Sequence, residues 1–387
     1  MDGSFRAGVV RIGDDARQRF YDSRGYGSPA AEGNGLVLAP VEAAHLLYRG
    51  DLDSVDEMDF PDFLAARELG VRFLVYRDLR ERGFYLSPAR EGWLHDAIAP
   101  REDFVVYPRG SGPWDSEVEC YVRCVGERDS VPAASLGGVV LGIVDEDGDL
   151  SYFETGRTDF DDRPTSEDES ASSDGSPPSG RTAADLSGGL RGRLLADRVL
   201  VADPSPELYE RDFYGRPLGG ANALALSLSL VEAAFLAASG SLALDATGTD
   251  DTDSADRADA GSTDTSDETN AREAIAARGR AVEGDRFDRR LAVYTALREQ
   301  GVVPKTGFKF GADFRTYDEV ESVDSLGHSE RLVRVIPPDH VFSPRDLALD
   351  VRLAGGVRKE TVYALVGAGR NEEENGVEWL SVTRLTP

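Results

Sequence analysis

Residues 73–84 read FLVYRDLRERGF and residues 291–302 read LAVYTALREQGV. Both place apolar side chains at helical spacing, carry Tyr at the fourth position, and run through Leu-Arg-Glu to a glycine. The spacing predicts a helix in each, stopped at Gly83 and Gly301. Working outward, the correspondence continues in order. Upstream, Tyr26-Gly27 precedes Val41-Glu42-Ala43-Ala44, as Tyr214-Gly215 precedes Val231-Glu232-Ala233-Ala234. Downstream, Asp103-Phe104-x-x-Tyr107 parallels Asp313-Phe314-x-x-Tyr317, and Tyr121-Val122-Arg123 parallels Leu332-Val333-Arg334. Ordered self-similarity of this kind marks an internal duplication, with copies near 20–155 and 205–387.

One copy is longer. Val41 to Tyr76 spans 35 residues, whereas Val231 to Tyr294 spans 63. The excess matches the acidic, low-complexity stretch 246–272, which reads as a loop insertion. A second such stretch, 156–187, reads as a linker. Neither holds enough apolar surface to offset the entropy of ordering, so both are expected to be disordered. The expected organisation is a first repeat at 1–155, the linker at 156–187, the N-terminal part of the second repeat at 188–285, and a C-terminal domain at 286–387.

Within each copy helical and alternating patterns mix. VEAAHLLYRG and VEAAFLAASG have helical spacing and a terminal glycine. Short alternating runs follow in the second copy: FKFGADFRTY, ERLVRVI, TVYALVG and VEWLSVTRL, all expected as strands. RDLALDVRLAGGVRKE begins a helix after Ser343-Pro344. The fold class is therefore α/β (mixed α+β), each copy an N-terminal α/β subdomain followed by a C-terminal α/β subdomain.

The 387 residues are 40% hydrophobic, enough for buried cores. No run of eighteen apolar residues exists, so no membrane helix is expected. The N-terminus lacks a basic start and apolar core, which argues against a secretory signal and for the cytoplasm. Cys120 and Cys124 make one pair where zinc needs about four ligands, so they read as buried apolar side chains in a reducing compartment, and no metal or cofactor is expected.

Net charge is −28, which ordinarily argues against nucleic acid. Yet only three of the 43 basic residues are lysines: Lys305, Lys309 and Lys359. Scarce lysine with abundant Asp and Glu suits a cytoplasm at molar salt, where the Debye length falls to roughly 3 Å and global repulsion is screened. The charge is also uneven. Residues 286–387 hold fifteen Lys plus Arg against sixteen Asp plus Glu, and all three lysines. Lysine is kept there as a compact point charge that arginine does not replace.

That window contains Tyr317 at a strand end, His328 after the polar loop DEVESVDSLG, and Lys359 in GGVRKE. Such a set can cleave an RNA strand without metal. A base takes the 2′-hydroxyl proton, O2′ attacks the adjacent phosphorus, an acid protonates the departing O5′, and a cation stabilises the phosphorane. Tyrosine is a poor base at neutral pH unless a cation lowers its pKa, a task open to Lys359. The first copy is an internal control: Tyr107 is present, Glu117 falls where His328 would, and that copy contains no lysine.

The stretches KTGFKFGADFRTY, GHSERLVRVI and DVRLAGGVRKETVYAL resemble archaeal tRNA-splicing endonuclease, over both copies but not the acidic segments. The resemblance implies a nuclease-like C-terminal subdomain in each copy, with only the second active. It implies Tyr317 as general base, His328 as general acid and Lys359 as charge stabiliser. The implied substrate is precursor tRNA with a bulge–helix–bulge, cut without metal to 2′,3′-cyclic phosphate and 5′-hydroxyl ends. Arg352 and Arg384 are the implied grips on a flipped bulge base. The long chain resembles the homodimeric form, in which an acidic hairpin, here Asp145, Glu146, Asp147 and Asp149, enters a cationic groove of the partner. Two other readings compete. A non-catalytic RNA-binding or structural subunit would lack the three residues. A metal-dependent DNA nuclease would need clustered carboxylates beside Lys359, which the sequence does not offer.

Overall fold

The computed structural model describes residues 1–13, 15–31, 33–98, 102–158, 160, 189–219, 225–245, 265–318, 320–367 and 376–387. Most of the 156–187 linker and residues 246–264 of the insertion lie outside the described residues. Packing divides the chain into Met1–Arg157 with Asp339–Arg352 and Ser381–Pro387, and Thr158–Pro338 with Leu353–Leu380.

The first copy runs β1 (Asp2–Arg6), β2 (Val9–Ile12), β3 (Ser28–Pro29), β4 (Leu36–Leu38), α1 (Pro40–Tyr48), β5 (Ser54–Val55), α2 (Phe60–Ala66), α3 (Gly70–Glu81), β6 (Leu86–Pro88), β7 (Phe104–Val106), β8 (Cys120–Gly126), β9 (Val131–Pro132), β10 (Val139–Val144) and β11 (Leu150–Arg157). Its first sheet has the order β3-β4-β2-β1-β5 and its second β6-β7-β8-β10-β11. Among the described residues of this copy the parallel pairs are β1–β5 and β8–β10. Val10, Leu38, Leu46, Phe73, Tyr76 and Phe104 belong to one core beneath both sheets.

The second copy runs β12 (Leu190–Leu194), β13 (Arg198–Ala202), α4 (Pro206–Glu210), β14 (Arg216–Leu218), β15 (Ala225–Ser229), α5 (Leu230–Ala238), β16 (Leu242–Leu244), α6 (Thr265–Glu283), α7 (Arg286–Glu299), β17 (Val303–Thr306), β18 (Phe314–Tyr317), β19 (Arg331–Ile336), β20 (Val341–Phe342), α8 (Pro344–Gly356), β21 (Glu360–Val366) and β22 (Val377–Leu385). Its sheets, β14-β15-β13-β12-β16 and β17-β18-β19-β21-β22, repeat the first copy strand for strand. The repeat therefore begins at Asp2 and Leu190, earlier than the edges near 20 and 205. Its opening strands, DGSFR and LRGRL, are too short and polar to show a period.

The Tyr-Gly and Val-Glu-Ala-Ala motifs are two halves of one device. Gly27 N–H donates to Glu42 Oε1 at 2.7 Å, and Gly215 N–H to Glu232 Oε1 at 3.0 Å. Both glycines have positive φ, 65° and 58°, and a Cβ would lie 2.3 Å from the Val37 carbonyl oxygen or 2.7 Å from that of Ser227. Only glycine fits there. The glutamate also caps its helix, accepting from Ala39 N–H at 2.9 Å in α1 and from Ser229 N–H at 2.9 Å in α5.

Three sequence expectations need correction. The insertion 246–272 is not disordered throughout, because α6 starts at Thr265 and buries Ala271 and Ile275 in the second core. The alanine-rich run NAREAIAAR favours helix and supplies a packing face four residues apart. FKFGADFRTY is not one strand either. Phe308–Phe310 forms a 3₁₀ turn closed by Gly311 at φ 72°, and the strand is Phe314–Tyr317 alone. Strand β11 also runs two residues past the boundary drawn at 155. Cys120 and Cys124 are free and pack against the first core; burial pushes the Cys120 thiol up to about 12 and the Cys124 thiol up as well. Among the described residues no helix is long and apolar enough to cross a membrane.

Candidate active site

In the second copy β18 pairs antiparallel with β19, and β19 pairs parallel with β21. Thr316 lies opposite Arg331, and Arg331 beside Glu360. Tyr317 therefore ends β18 where β19 and β21 begin. Lys359 immediately precedes β21, and His328 stands three residues before β19. Crossover α8 makes this possible, since a parallel pair needs a long connection. Topology thus delivers three residues, far apart in sequence, to one end of three adjacent strands.

Backbone bonds tie that end together. Glu330 N–H donates to Thr316 O at 3.1 Å, and Glu360 N–H to Glu330 O at 3.1 Å. The Lys359 ammonium donates to the carbonyl of Ser329, the residue after His328. Its Nζ sits 5.8 Å from the centre of the Phe310 ring. Tyr317 is buried, its ring edge-on to Phe213 at 5.7 Å. His328 is exposed.

Electrostatics around the three are uneven. Burial, then the Arg315 guanidinium, hold the Lys359 pKa below its ordinary value, while Glu330 opposes them. The Arg315 guanidinium carbon lies 5.6 Å from the Tyr317 ring centre, so an arginine flanks the tyrosine. Partial burial and the neighbouring Asp318 carboxylate push Glu330 up to about 7. Asp318 N–H donates to Glu330 Oε2 at 3.1 Å, and Arg331 lies 3.6 Å from Asp318 and 3.3 Å from Glu360. Arg315, Asp318 and Glu330 escaped the sequence reading. They flank Tyr317 and His328 by one or two residues, but only the strand register shows that they converge.

Of the remaining site residues, Arg352 on α8 and Arg384 on β22 are both exposed. The acidic stretch 145–149 caps the β10–β11 hairpin. The Asp145 carboxylate is spent on the turn itself, accepting from Asp147 N–H at 3.0 Å and Asp149 N–H at 2.9 Å. Glu146 pairs with Arg128, and Asp147 and Asp149 are exposed. Among the described residues no three His, Cys, Asp or Glu side chains gather as a metal set.

Comparison with known proteins bears directly on this arrangement. Residues 287–379 match the family described as tRNA intron endonuclease, catalytic C-terminal domain. Residues 1–64 and 190–256 each match tRNA intron endonuclease, N-terminal domain. The chain belongs to the tRNA intron endonuclease family. It is 54% identical over 390 residues to the tRNA-splicing endonuclease of Haloferax volcanii, with all of both chains covered. It is 52% identical to that of Haloarcula marismortui, again over the whole of both. With the tRNA-splicing endonuclease of Methanosarcina mazei it shares 33% identity over 97% of this chain and 96% of that one. The match to the catalytic domain falls once, on the copy that holds Tyr317, His328 and Lys359, whereas the N-terminal domain match falls on both copies. The haloarchaeal relatives agree with the salt reading of the acidic composition.

Proposed function

We propose that this endonuclease, which acts on precursor tRNA, cuts introns out by metal-independent transesterification at bulge–helix–bulge boundaries. Tyr317 takes the proton of the 2′-hydroxyl. O2′ then attacks the adjacent phosphorus, the P–O5′ bond breaks, and His328 protonates O5′. The products are a 2′,3′-cyclic phosphate and a 5′-hydroxyl. Lys359 stabilises the charge that builds on the non-bridging oxygens; a partly desolvated ammonium does so more strongly than one in water. Arg352 and Arg384 grip a flipped bulge base by stacking, a contact that salt weakens less than phosphate pairing. The chain works as a homodimer in the cytoplasm, with the 145–149 hairpin docked in the partner, so that two active copies meet the two boundaries.

The convergence of Tyr317, Lys359 and the His328 segment at one strand end carries this reading. Cleavage of a bulge–helix–bulge RNA in EDTA tests it. Undiminished cutting with cyclic-phosphate ends is expected; loss of cutting on chelation would sink the mechanism. A particle mass of one chain at multimolar salt would remove the homodimer.

A further inference from the structure

The turn between β17 and β18 carries an aromatic ring that the fold does not use. Phe308 is 86% exposed, more than any other large apolar side chain among the described residues. One exposed apolar residue alone needs no explanation, but three further observations attach to this one.

Its support is rigid. Gly307 N–H donates to Asp313 O at 3.1 Å, Phe310 N–H to Gly307 O at 2.8 Å, and Gly311 N–H to Phe308 O at 3.2 Å. A Cβ on Gly307 would lie 2.9 Å from the carbonyl oxygens of Ala312 and Phe314, so the backbone is closely wrapped there.

Beside the ring lies a cavity of about 450 Å³, lined by Phe308, Gly311, Asp313, Arg286, Arg334 and Ile336. That volume falls in the range of small-ligand sites. Arg286 donates to Asp313 at 2.6 Å, and Asp313 also accepts from Val335 N–H at 2.9 Å, which holds the guanidinium at the rim. In a chain of net charge −28, two arginines line this cavity, and the exposed Lys309 follows Phe308 in sequence.

The same turn reaches the active site, since Phe310 packs 5.8 Å from Lys359 Nζ. An aromatic face, an apolar wall and arginines in the lining are what an unstacked nucleotide requires: stacking for the base and charge-assisted bonds for the phosphate.

We propose that Phe308 and the cavity beside it bind an extrahelical nucleotide of the RNA substrate, with the base on the Phe308 ring and the phosphate toward Arg286 and Arg334. This rests on the RNA-cleaving reading and adds a contact to it. The test uses the full chain and a bulge–helix–bulge RNA, with affinity from fluorescence anisotropy and rate from single-turnover cleavage. Phe308→Ala should weaken binding about 5- to 150-fold, the effect of losing one stacked base. The rate at saturating enzyme should stay within a few-fold, and Phe308→Tyr should restore affinity. The ring is exposed, so the melting temperature should not move. Equal affinities of wild type and Phe308→Ala overturn the proposal. So does a fall in particle mass on Phe308→Ala, which would make the ring a protein contact. If wild type binds the RNA without cutting it, the function reading fails, while loss of binding in Phe308→Ala still supports the platform.

Discussion

The two copies share a topology and differ in what they hold at equivalent points. Val122 pairs with Val140 in the first copy, and Val333 with Val362 in the second. That register places Gly137 where Lys359 stands. Gly137 has φ 112°, and a Cβ there would lie 2.8 Å from Arg157 Nε. Helix α8 has no counterpart in the first copy, which crosses over by a single 3₁₀ turn at Ala133–Ser135. Tyr107 survives, but its hydroxyl is buried and donates to Ser87 Oγ at 3.2 Å. Point substitutions would not arm the first copy, because the lysine position is closed in the backbone itself. The buried glutamate differs as well. Glu232 pairs with Lys305 at 2.6 Å, whereas Ser87 occupies the Lys305 position in the first copy and Glu42 has backbone donors alone. Duplication kept the frame, and each copy settled its buried charge separately.

The sharpest way to break this comparison is to disarm each copy in turn. His328→Ala or Lys359→Ala should slow cleavage about 10²- to 10⁴-fold with RNA binding retained. Tyr107→Phe in the first copy should leave the rate unchanged. Single-turnover kinetics at saturating enzyme reads both; a rate that falls with Tyr107→Phe would end the assignment of catalysis to one copy. Because burial and Arg315 lower the Lys359 pKa, the wild-type rate should decline on the alkaline side earlier than an ordinary lysine would dictate.

Much of this was legible in sequence, for physical reasons. Glycine-stopped helices and the Tyr-Gly and Val-Glu-Ala-Ala pairs recur because each performs one local task. The strand identities of ERLVRVI and TVYALVG followed from alternation. Their parallel pairing did not, since register between distant strands leaves no local pattern; that hid Glu330, Asp318 and Arg315. The run 308–310 looked like a strand because its apolar residues alternate, and the turn shows only in the glycines around it. Lysine scarcity pointed to positions needing a compact charge, but it did not say whether the need was catalytic or structural. For Lys305 it is structural.

That lysine supplies the next test. Its ammonium donates to Phe213 O at 3.1 Å, Gly215 O at 3.2 Å and Glu232 Oε1 at 2.6 Å. Three acceptors around one point suit an ammonium and not a planar guanidinium. Lys305→Ala strands a buried carboxylate and should cost about 3–5 kcal/mol. Lys305→Arg should also destabilise, although this chain otherwise prefers arginine. Ser87→Ala at the matching position should cost about 1 kcal/mol. Urea melts of the full chain measure all three, and a harmless Lys305→Arg would refute the geometric account.

The last effect concerns pH and should carry opposite signs in the two copies. Burial pushes Glu42 up to about 7, against opposition from the Gly27 and Ala39 amides and from Arg80 and Arg90. An acid whose folded pKa lies above its unfolded value of 4.5 binds more protons when folded. Its contribution is whole below pH 4.5 and is lost as pH rises through 7, by at most about 3 kcal/mol. Glu232 is also buried, yet Lys305 and the Ser229 and Gly215 amides carry its pKa below the ordinary value. Its contribution is whole above that value and is lost as pH falls. Glu42→Gln should therefore flatten the decline in stability between pH 4.5 and 7 while lowering stability throughout, since one amide hydrogen would face the Ala39 or Gly27 N–H. Lys305→Ser should convert the second copy to the charge state of the first and add a decline over the same window. A Lys305→Ser stability curve parallel to wild type across that window would show that the lysine does not set the protonation of Glu232.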